Sequence, residues 1–434
     1  MERYLINDLK KWQKSPDRKP LLLYGARQVG KTWLVRKFAS SGYRNYIELN
    51  FLTDTALKAI FDKDISPAFI IHQLELHFNK EIKTERTLIF FDEIQESQRA
   101  MDSLKSFNDK GRAYNIIAAG SFLGVMTGSR PVGQTEQLTL YPMSFCEFLE
   151  ASGRSNLAEA INRCDMKTLS GAGDLLEYFL KQYYYVGGMP AVVSEFISSG
   201  DLDKVRKIQN ELISAYKGDF SKHINDSRTE PKIRMLWDSV SLHLAKENKK
   251  FIYKNVKSGG RAAEFENAMQ WLTDTGLVYK INKVQTPKLP LKMYFKNEFF
   301  KLFMIDIGLL GAQAEIRPAH ILAAGTDIVD DMNGMLAEQF VCQELKAARV
   351  SPLFFWGREG STAEIDFITQ GERDVIPIEV KSAKHTKAQS LKVYMQEYNP
   401  VFAVRTSLKN FGIAGKLYSI PLYLISQLEK LLRN

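Results

Sequence analysis

The chain has 434 residues, 45% of them hydrophobic, 25% charged and 11% aromatic, which excludes a disordered, collagen-like or low-complexity protein. Its 59 Lys and Arg against 50 Asp and Glu leave a charge of +9, an excess that permits a polyanionic partner without requiring one. Cys146, Cys164 and Cys342 are odd in number and lack C-x-x-C spacing, which argues against a disulfide scaffold or zinc module. The opening residues carry no apolar signal core, and no apolar run reaches the length of about 18 residues that a membrane helix needs. A cytoplasmic protein with no membrane partner is the expectation.

Up to about residue 140, short apolar runs alternate with helical stretches. The runs are Pro20–Tyr24, Tyr46–Phe51, Thr87–Phe91 and Asn115–Ala119, and Val29–Ser40 and Pro67–Asn79 carry helical spacing between them. This alternation predicts a parallel sheet covered by helices, over residues 1–150. Residues 151–215 read as helical, punctuated by Gly187-Gly188-Met189-Pro190, a sharp turn before a new helix. Residues 216–320 form a basic segment: between 217 and 301 there are 17 Lys and Arg against 9 Asp and Glu, nearly all of the chain's excess. Residues 321–434 open with a helix over Gly334–Ala348. Strands follow at Leu353–Trp356, Glu364–Thr369 and Val375–Val380, then a helix and a strand near Val401–Val404.

Leu21-Leu22-Leu23-Tyr24 leads into Gly25-Ala26-Arg27-Gln28-Val29-Gly30-Lys31-Thr32, which fits G-x-x-x-x-G-K-[ST]. The glycines let the backbone wrap close to phosphate oxygens, and the amides at the start of the following helix add a partial positive charge. In this role Lys31 reaches the β- and γ-phosphates, and the Thr32 hydroxyl coordinates Mg²⁺. A chance glycine turn is the alternative; an apolar strand before the motif and an amphipathic helix after it argue against chance. Leu88–Phe91 then delivers Asp92 and Glu93 at the C-terminal edge of a buried strand, where active sites of open parallel sheets lie. Asp92 is expected to hold Mg²⁺ through water, and Glu93 to polarise the attacking water as general base. Alone, such a pair reads as a solvated strand end. A third strand ends in Gly120-Ser121, where Ser121 serves as a sensor of the γ-phosphate, as a helix N-cap, or as both.

Together GARQVGKT, IELNF (Ile47–Phe51), FFDEIQ (Phe90–Gln95), AGSFLG (Ala119–Gly124) and LYPMSFCEFL (Leu140–Leu149) resemble the bacterial and archaeal AAA+-type ATPases that carry a C-terminal DUF4143 domain. The resemblance continues through YYYVGGMPAVV (Tyr183–Val193), FKLFMIDIGLL (Phe300–Leu310) and the final domain. It implies ATP and Mg²⁺ as ligands, with Lys31, Thr32, Asp92 and Glu93 in the roles above. Relatives often form rings with shared sites, so a homo-oligomer or another protein partner is open. The family usually has Gly-Arg before its PLSFxEFL stretch, an arginine suited to act as a finger; here Gly133-Gln134 stands there. Arg130, Arg27 or a partner's residue is left to substitute, or turnover is slow.

In the basic segment, helical stretches (Ile233–Leu244, Arg261–Leu272) precede a β-hairpin-like stretch, which suggests a winged-helix-like module. Lys249, Lys250, Lys254, Lys257 and Arg261, with Phe251 and Tyr253 interleaved, are candidates for contacting DNA or RNA phosphates, or form a solvated surface. In the last domain Glu379 and Lys381 share one strand face. Asp366 on a neighbouring strand and Glu338 on the opening helix are placed to converge with them, binding Mg²⁺ and activating water for attack on a phosphodiester. This resembles the PD-(D/E)XK nuclease fold, with Asp366, Glu379 and Lys381 matching D…ExK and Glu338 its helical acid. A surface Glu–Lys pair and a nuclease-like fold that only binds are the alternatives. His72 and His77 are poorly spaced for one metal, Tyr183-Tyr184-Tyr185 read as packing at a junction, and Phe354, Phe355 and Trp356 read as strand core.

The expected molecule is an α/β P-loop NTPase parallel sheet, then a helical and winged-helix-like module, then a nuclease-like α/β domain. Its expected function is MgATP hydrolysis coupled to nucleic-acid processing. A nucleotide-dependent switch with little turnover, and an Mg²⁺ nuclease regulated by ATP, are the competing readings.

Overall fold

The computed structural model describes residues 1–121, 133–221, 228–246, 249–322, 330–382 and 389–433. Arg130 and the Phe-Leu-Gly end of the AGSFLG stretch lie outside the described residues. The chain divides into two compact units, residues 2–141 with 274–276, and residues 142–273 with 277–434 and Met1.

The first unit holds strands β1 (Leu21–Tyr24), β2 (Asn45–Asn50), β3 (Thr87–Asp92), β4 (Asn115–Ala119) and β5 (Glu136–Thr139). Its helices are α1 (Ile6–Lys14), α2 (Lys31–Gly42), α3 (Thr55–Lys63), α4 (Pro67–Phe78) and α5 (Gln98–Lys110). The strands form one parallel sheet in the order β2-β3-β4-β1-β5. β4 therefore lies between the strand that leads into the glycine loop and the strand that ends in Asp92. Every residue of β3 and β4 is buried, so both read as unbroken apolar runs. Phe51, Phe61, Phe91 and Phe107 pack edge-to-face in the core beside β3. The helices start where the sequence provides caps. Asp54 accepts from the Leu57 N–H, Ser97 from the Ala100 N–H, and Pro67 occupies the first turn of α4.

The second unit opens with helices α6 (Phe145–Ala151), α7 (Ser155–Arg163), α8 (Met166–Gly171), α9 (Gly173–Val186), α10 (Pro190–Ser199), α11 (Leu202–Asp219), α12 (Glu230–Leu244), α13 (Tyr253–Val256) and α14 (Ala262–Asp274). A hairpin of β6 (Val278–Val284) and β7 (Phe295–Met304) follows, then α15 (Ile307–Gln313), α16 (Pro318–Leu322) and α17 (Asp330–Ala347). The last third adds β8 (Leu353–Gly357), β9 (Glu364–Gln370), β10 (Val375–Val380), α18 (Gln389–Tyr398), β11 (Ala403–Ser407), β12 (Gly412–Ala414), β13 (Leu417–Pro421) and α19 (Leu428–Arg433). All these strands make one mixed sheet in the order β12-β13-β11-β10-β9-β8-β6-β7. The hairpin of the basic segment thus extends the C-terminal sheet, through two parallel pairings, Lys283 with Phe355 and Val284 with Trp356.

Helix α17 anchors this unit with a buried polar face. Gln339 exchanges hydrogen bonds with the Met304 backbone, 3.0 and 2.8 Å, and Gln343 accepts from the Ile307 N–H at 2.9 Å. Gln343 also donates to the Tyr183 hydroxyl, which donates to the Met143 carbonyl. Glu344 accepts from the Phe145 N–H at 2.9 Å. Asp306 closes the set by accepting from the Gly188 N–H at 2.6 Å and capping α15 at Leu309. A Cβ on Gly188 would sit 2.1 Å from the Met143 carbonyl oxygen, so only glycine allows this approach. No helix among the described residues is long and apolar enough to cross a membrane.

Candidate functional site

In the first unit, β1 ends at Tyr24 and the chain turns through Gly25–Gly30 into α2. Gly25 has φ +149° and Gly30 φ +95°, and a Cβ on Gly25 would lie 2.5 Å from the Leu140 carbonyl oxygen. Gln28 adopts φ +66°, while Ala26 and Val29 are buried and anchor the loop. The loop is pinned from outside by Arg3, whose guanidinium is buried and donates to the Val29 carbonyl at 2.7 Å and the Tyr141 carbonyl at 2.6 Å. Nothing in the spacing around Arg3 announces this role.

The Lys31 ammonium donates to the Gly25 carbonyl at 2.8 Å, the Ala26 carbonyl at 2.9 Å and Ser121 Oγ at 3.0 Å. Burial lowers its pKa to about 8; the charges of Glu93 and Asp92 oppose the drop and Arg27 adds to it. Thr32 Oγ1 donates to Asp92 Oδ2 at 2.9 Å. Burial raises the Asp92 pKa, the Thr32 hydrogen bond offsets part of that, and the Glu93 carboxylate adds to it. Glu93 takes φ +50°, its N–H donates to Asp92 Oδ1 at 3.1 Å, and Gln95 Nε2 donates to Glu93 Oε2 at 2.5 Å. Lys31, Thr32, Asp92 and Ser121 therefore meet at the C-terminal edge of β1, β3 and β4. Gln134 accepts from Asn108 Nδ2, whose own oxygen accepts from Arg112 at 3.1 Å.

Residues 17–149 match the family described as an AAA domain, and residues 333–425 match DUF4143, a domain of unknown function. The chain joins an AAA domain to a C-terminal DUF4143 domain. Between them, residues 178–320 match DUF8612, another domain of unknown function. A Walker-type ATPase of Pyrococcus abyssi is similar at 14% identity, over 71% of this chain and 95% of that one, with a TM-score of 0.44. No curated protein matches. The AAA domain is of the nucleotide-binding P-loop ATPase class, and its residues fit MgATP. The Gly25 cradle excludes a side chain, Lys31 is a poised cation, and the Thr32–Asp92 pair offers two oxygens side by side.

In the second unit, Glu338 on α17, Asp366 on β9, Glu379 on β10 and Lys381 just after β10 draw together, in the company of lysines. Lys381 Nζ lies 2.8 Å from Glu379 Oε1, and Asp366 Oδ2 accepts from the Val380 N–H at 2.8 Å. Lys249 Nζ donates to Glu338 Oε1 at 2.5 Å. Lys301 on β7 reaches Glu338, Glu364 and Asp366. Lys301 and Lys249 hold the Glu338 carboxyl down to about 2 despite its burial. Burial, with Glu338 and Glu379 beside it, drives Asp366 well above the usual carboxylate range. Among the described residues no three His, Cys, Asp or Glu side chains come together as ligands of one metal ion. The D…ExK spacing did not reveal Lys301; its signal is a lone charge inside the apolar run Phe299–Met304.

The basic cluster is largely tied down. Lys250 lies 3.4 Å from Glu364 Oε2, and Lys257 lies 2.7 Å from Glu264 Oε1. Phe251 is buried and stacks between His243 and Phe300, so it packs the core, while Tyr253 stacks on Phe265. Tyr183 and Tyr185 are fully buried, as are Phe355 and Trp356.

Proposed function

We propose that the AAA domain binds MgATP and hydrolyses it, and that nucleotide state governs how the DUF4143 domain engages nucleic acid. The observation that carries the first part is the meeting of Lys31, Thr32, Asp92 and Ser121 at one edge of a parallel sheet, beside a loop that opens a helix. Lys31 exchanges its two loop carbonyls for phosphate oxygens, while the backbone of Gly25, Ala26, Arg27, Gln28, Val29 and Gly30 wraps the phosphate chain. The Thr32 hydroxyl and, through water, Asp92 would hold Mg²⁺, which would supply charge neutralisation to the phosphate oxygens. Glu93 takes the proton of the attacking water, with Gln95 orienting its carboxylate, and Ser121 beside Lys31 senses the γ-phosphate.

The decisive measurement is ATP binding by calorimetry alongside phosphate release. Lys31→Ala is expected to lose both, and Glu93→Gln to keep binding while phosphate release falls about 10²–10⁴-fold. Unchanged phosphate release by Glu93→Gln rejects the assignment. A second reading, a switch with slow turnover and a DUF4143 domain that binds without cutting, is favoured by Gln134 paired to Asn108 where a finger arginine is expected. In the hydrolysing reading Arg130, Arg27 or a residue from another subunit supplies that charge instead.

A further inference from the structure

The carboxylates of the DUF4143 domain are already compensated from within. Lys301 is the one charged residue of the run Phe299–Met304 at the end of β7, where Phe300, Leu302, Phe303 and Met304 are all buried, and its side chain is itself 1% exposed. Its ammonium lies 2.7 Å from Glu364 Oε1, 3.4 Å from Glu338 Oε2 and 3.8 Å from Asp366 Oδ1. The Phe355 ring covers it, 5.2 Å from the ring centre. The second oxygen of Glu338 takes Lys249, the second oxygen of Glu364 takes Lys250, and Asp366 Oδ2 takes the Val380 N–H. Glu379 Oε1 takes Lys381, and Glu379 Oε2 is buried without a hydrogen-bond partner among the described residues.

A nuclease-like centre of this kind implies a divalent ion, and these residues do not fit one. Mg²⁺ demands octahedral oxygens at about 2.0–2.1 Å. Two of the carboxylates it would need, Glu338 and Asp366, already face a buried ammonium. A divalent ion and that ammonium repel strongly in an interior of low dielectric, and Lys301, sealed under Phe355, has no solvent to retreat to. We infer that the Lys301 ammonium stands in the place of the metal, so that the DUF4143 centre takes up no Mg²⁺ or Mn²⁺ and acts as an ion-paired core. The inference is independent of the AAA site, and its failure leaves the ATPase assignment intact.

The test is a Mn²⁺ titration of the full chain in the absence of nucleotide, read by electron paramagnetic resonance. Wild type and Asp366→Asn are expected to give the same curve. Lys301→Met, close in length and uncharged, leaves the carboxylates in excess and is expected to gain one Mn²⁺ site, lost again in the Lys301→Met, Asp366→Asn double variant. Mn²⁺ is expected to raise the melting temperature of Lys301→Met alone. Wild-type Mn²⁺ binding that disappears in Asp366→Asn overturns the inference, as does a folded Lys301→Met that binds none. Should Lys301→Met not fold, the comparison of wild type with Asp366→Asn decides by itself.

Discussion

Lys31 directs all three of its N–H bonds at acceptors of its own domain, two loop carbonyls and the Ser121 hydroxyl, while burial holds its pKa near 8. A triphosphate beside the ammonium restores its preference for the proton. Above about pH 8 binding must therefore take up a proton, and affinity should fall by up to about tenfold per pH unit between pH 8 and 10. Calorimetry at pH 9 in two buffers of different ionisation enthalpy checks this; equal heats contradict it, whereas at pH 6.5 equal heats are expected. Gln95 donates to the Glu93 carboxylate, and in the proposed mechanism it orients that group. Gln95→Ala should lower kcat with ATP affinity unchanged, and a drop in affinity instead marks a purely structural role. The Lys31–Thr32 pair and Asp92–Glu93 were legible because their chemistry dictates spacing and a strand end. Arg3 and Lys301 were not, because each works through contacts with residues far away in sequence.

At the level of elements, the apolar runs before Tyr24, Asp92 and Gly120 were readable as buried strands, since every residue faces core on both sides. β5 was not: Glu136–Thr139 is short and half-buried at the sheet edge, so it carries no apolar run. Helix α17 shows the converse case. Gln339, Gln343 and Glu344 look like solvent-facing positions, yet they are buried and bind backbone groups of β7, α15 and α6. Stretches quoted as family signatures, around Met143, Gly188 and Asp306, are thus joints of the fold. Burial pushes Glu344 up to about 8, against an ordinary value of 4.5 in the unfolded chain. Between those values the folded state keeps a proton that the unfolded state releases, so stability should decline as pH rises across that window. Glu344→Gln keeps an acceptor for Phe145 and removes the titration. Relative to wild type it should gain roughly 2–4 kcal/mol between pH 5 and pH 9. Urea unfolding of both proteins at the two pH values measures the difference; parallel pH dependences exclude the assignment.

For the whole molecule, the charge of +9 is concentrated in the basic segment, and part of that segment's cation is already engaged. Lys249, Lys250, Lys257 and Lys296 each face a glutamate, and Lys217 faces Asp238. Lys249 in its buried pair cannot neutralise a phosphate without leaving Glu338 uncompensated, so it adds little to nucleic-acid affinity, whereas the exposed pairs of Lys257 and Lys296 are weak. Lys254 and Arg261 are exposed on α13 and just before α14. If the second unit binds DNA around α13 and the start of α14, few counter-ions are released. The log–log dependence of affinity on salt should then have a slope no steeper than about −3, against about −0.9 per phosphate neutralised. Fluorescence anisotropy with a labelled duplex across a salt series gives that slope. Lys254→Ala and Arg261→Ala should each flatten it by about one contact. Lys249→Ala should leave the slope alone while lowering the melting temperature, because it strips Glu338 of a partner. A steep slope, or one that Lys249→Ala flattens, would mean that nucleic acid draws the lysines off their glutamates, and the ion-paired segment would then be the binding surface itself.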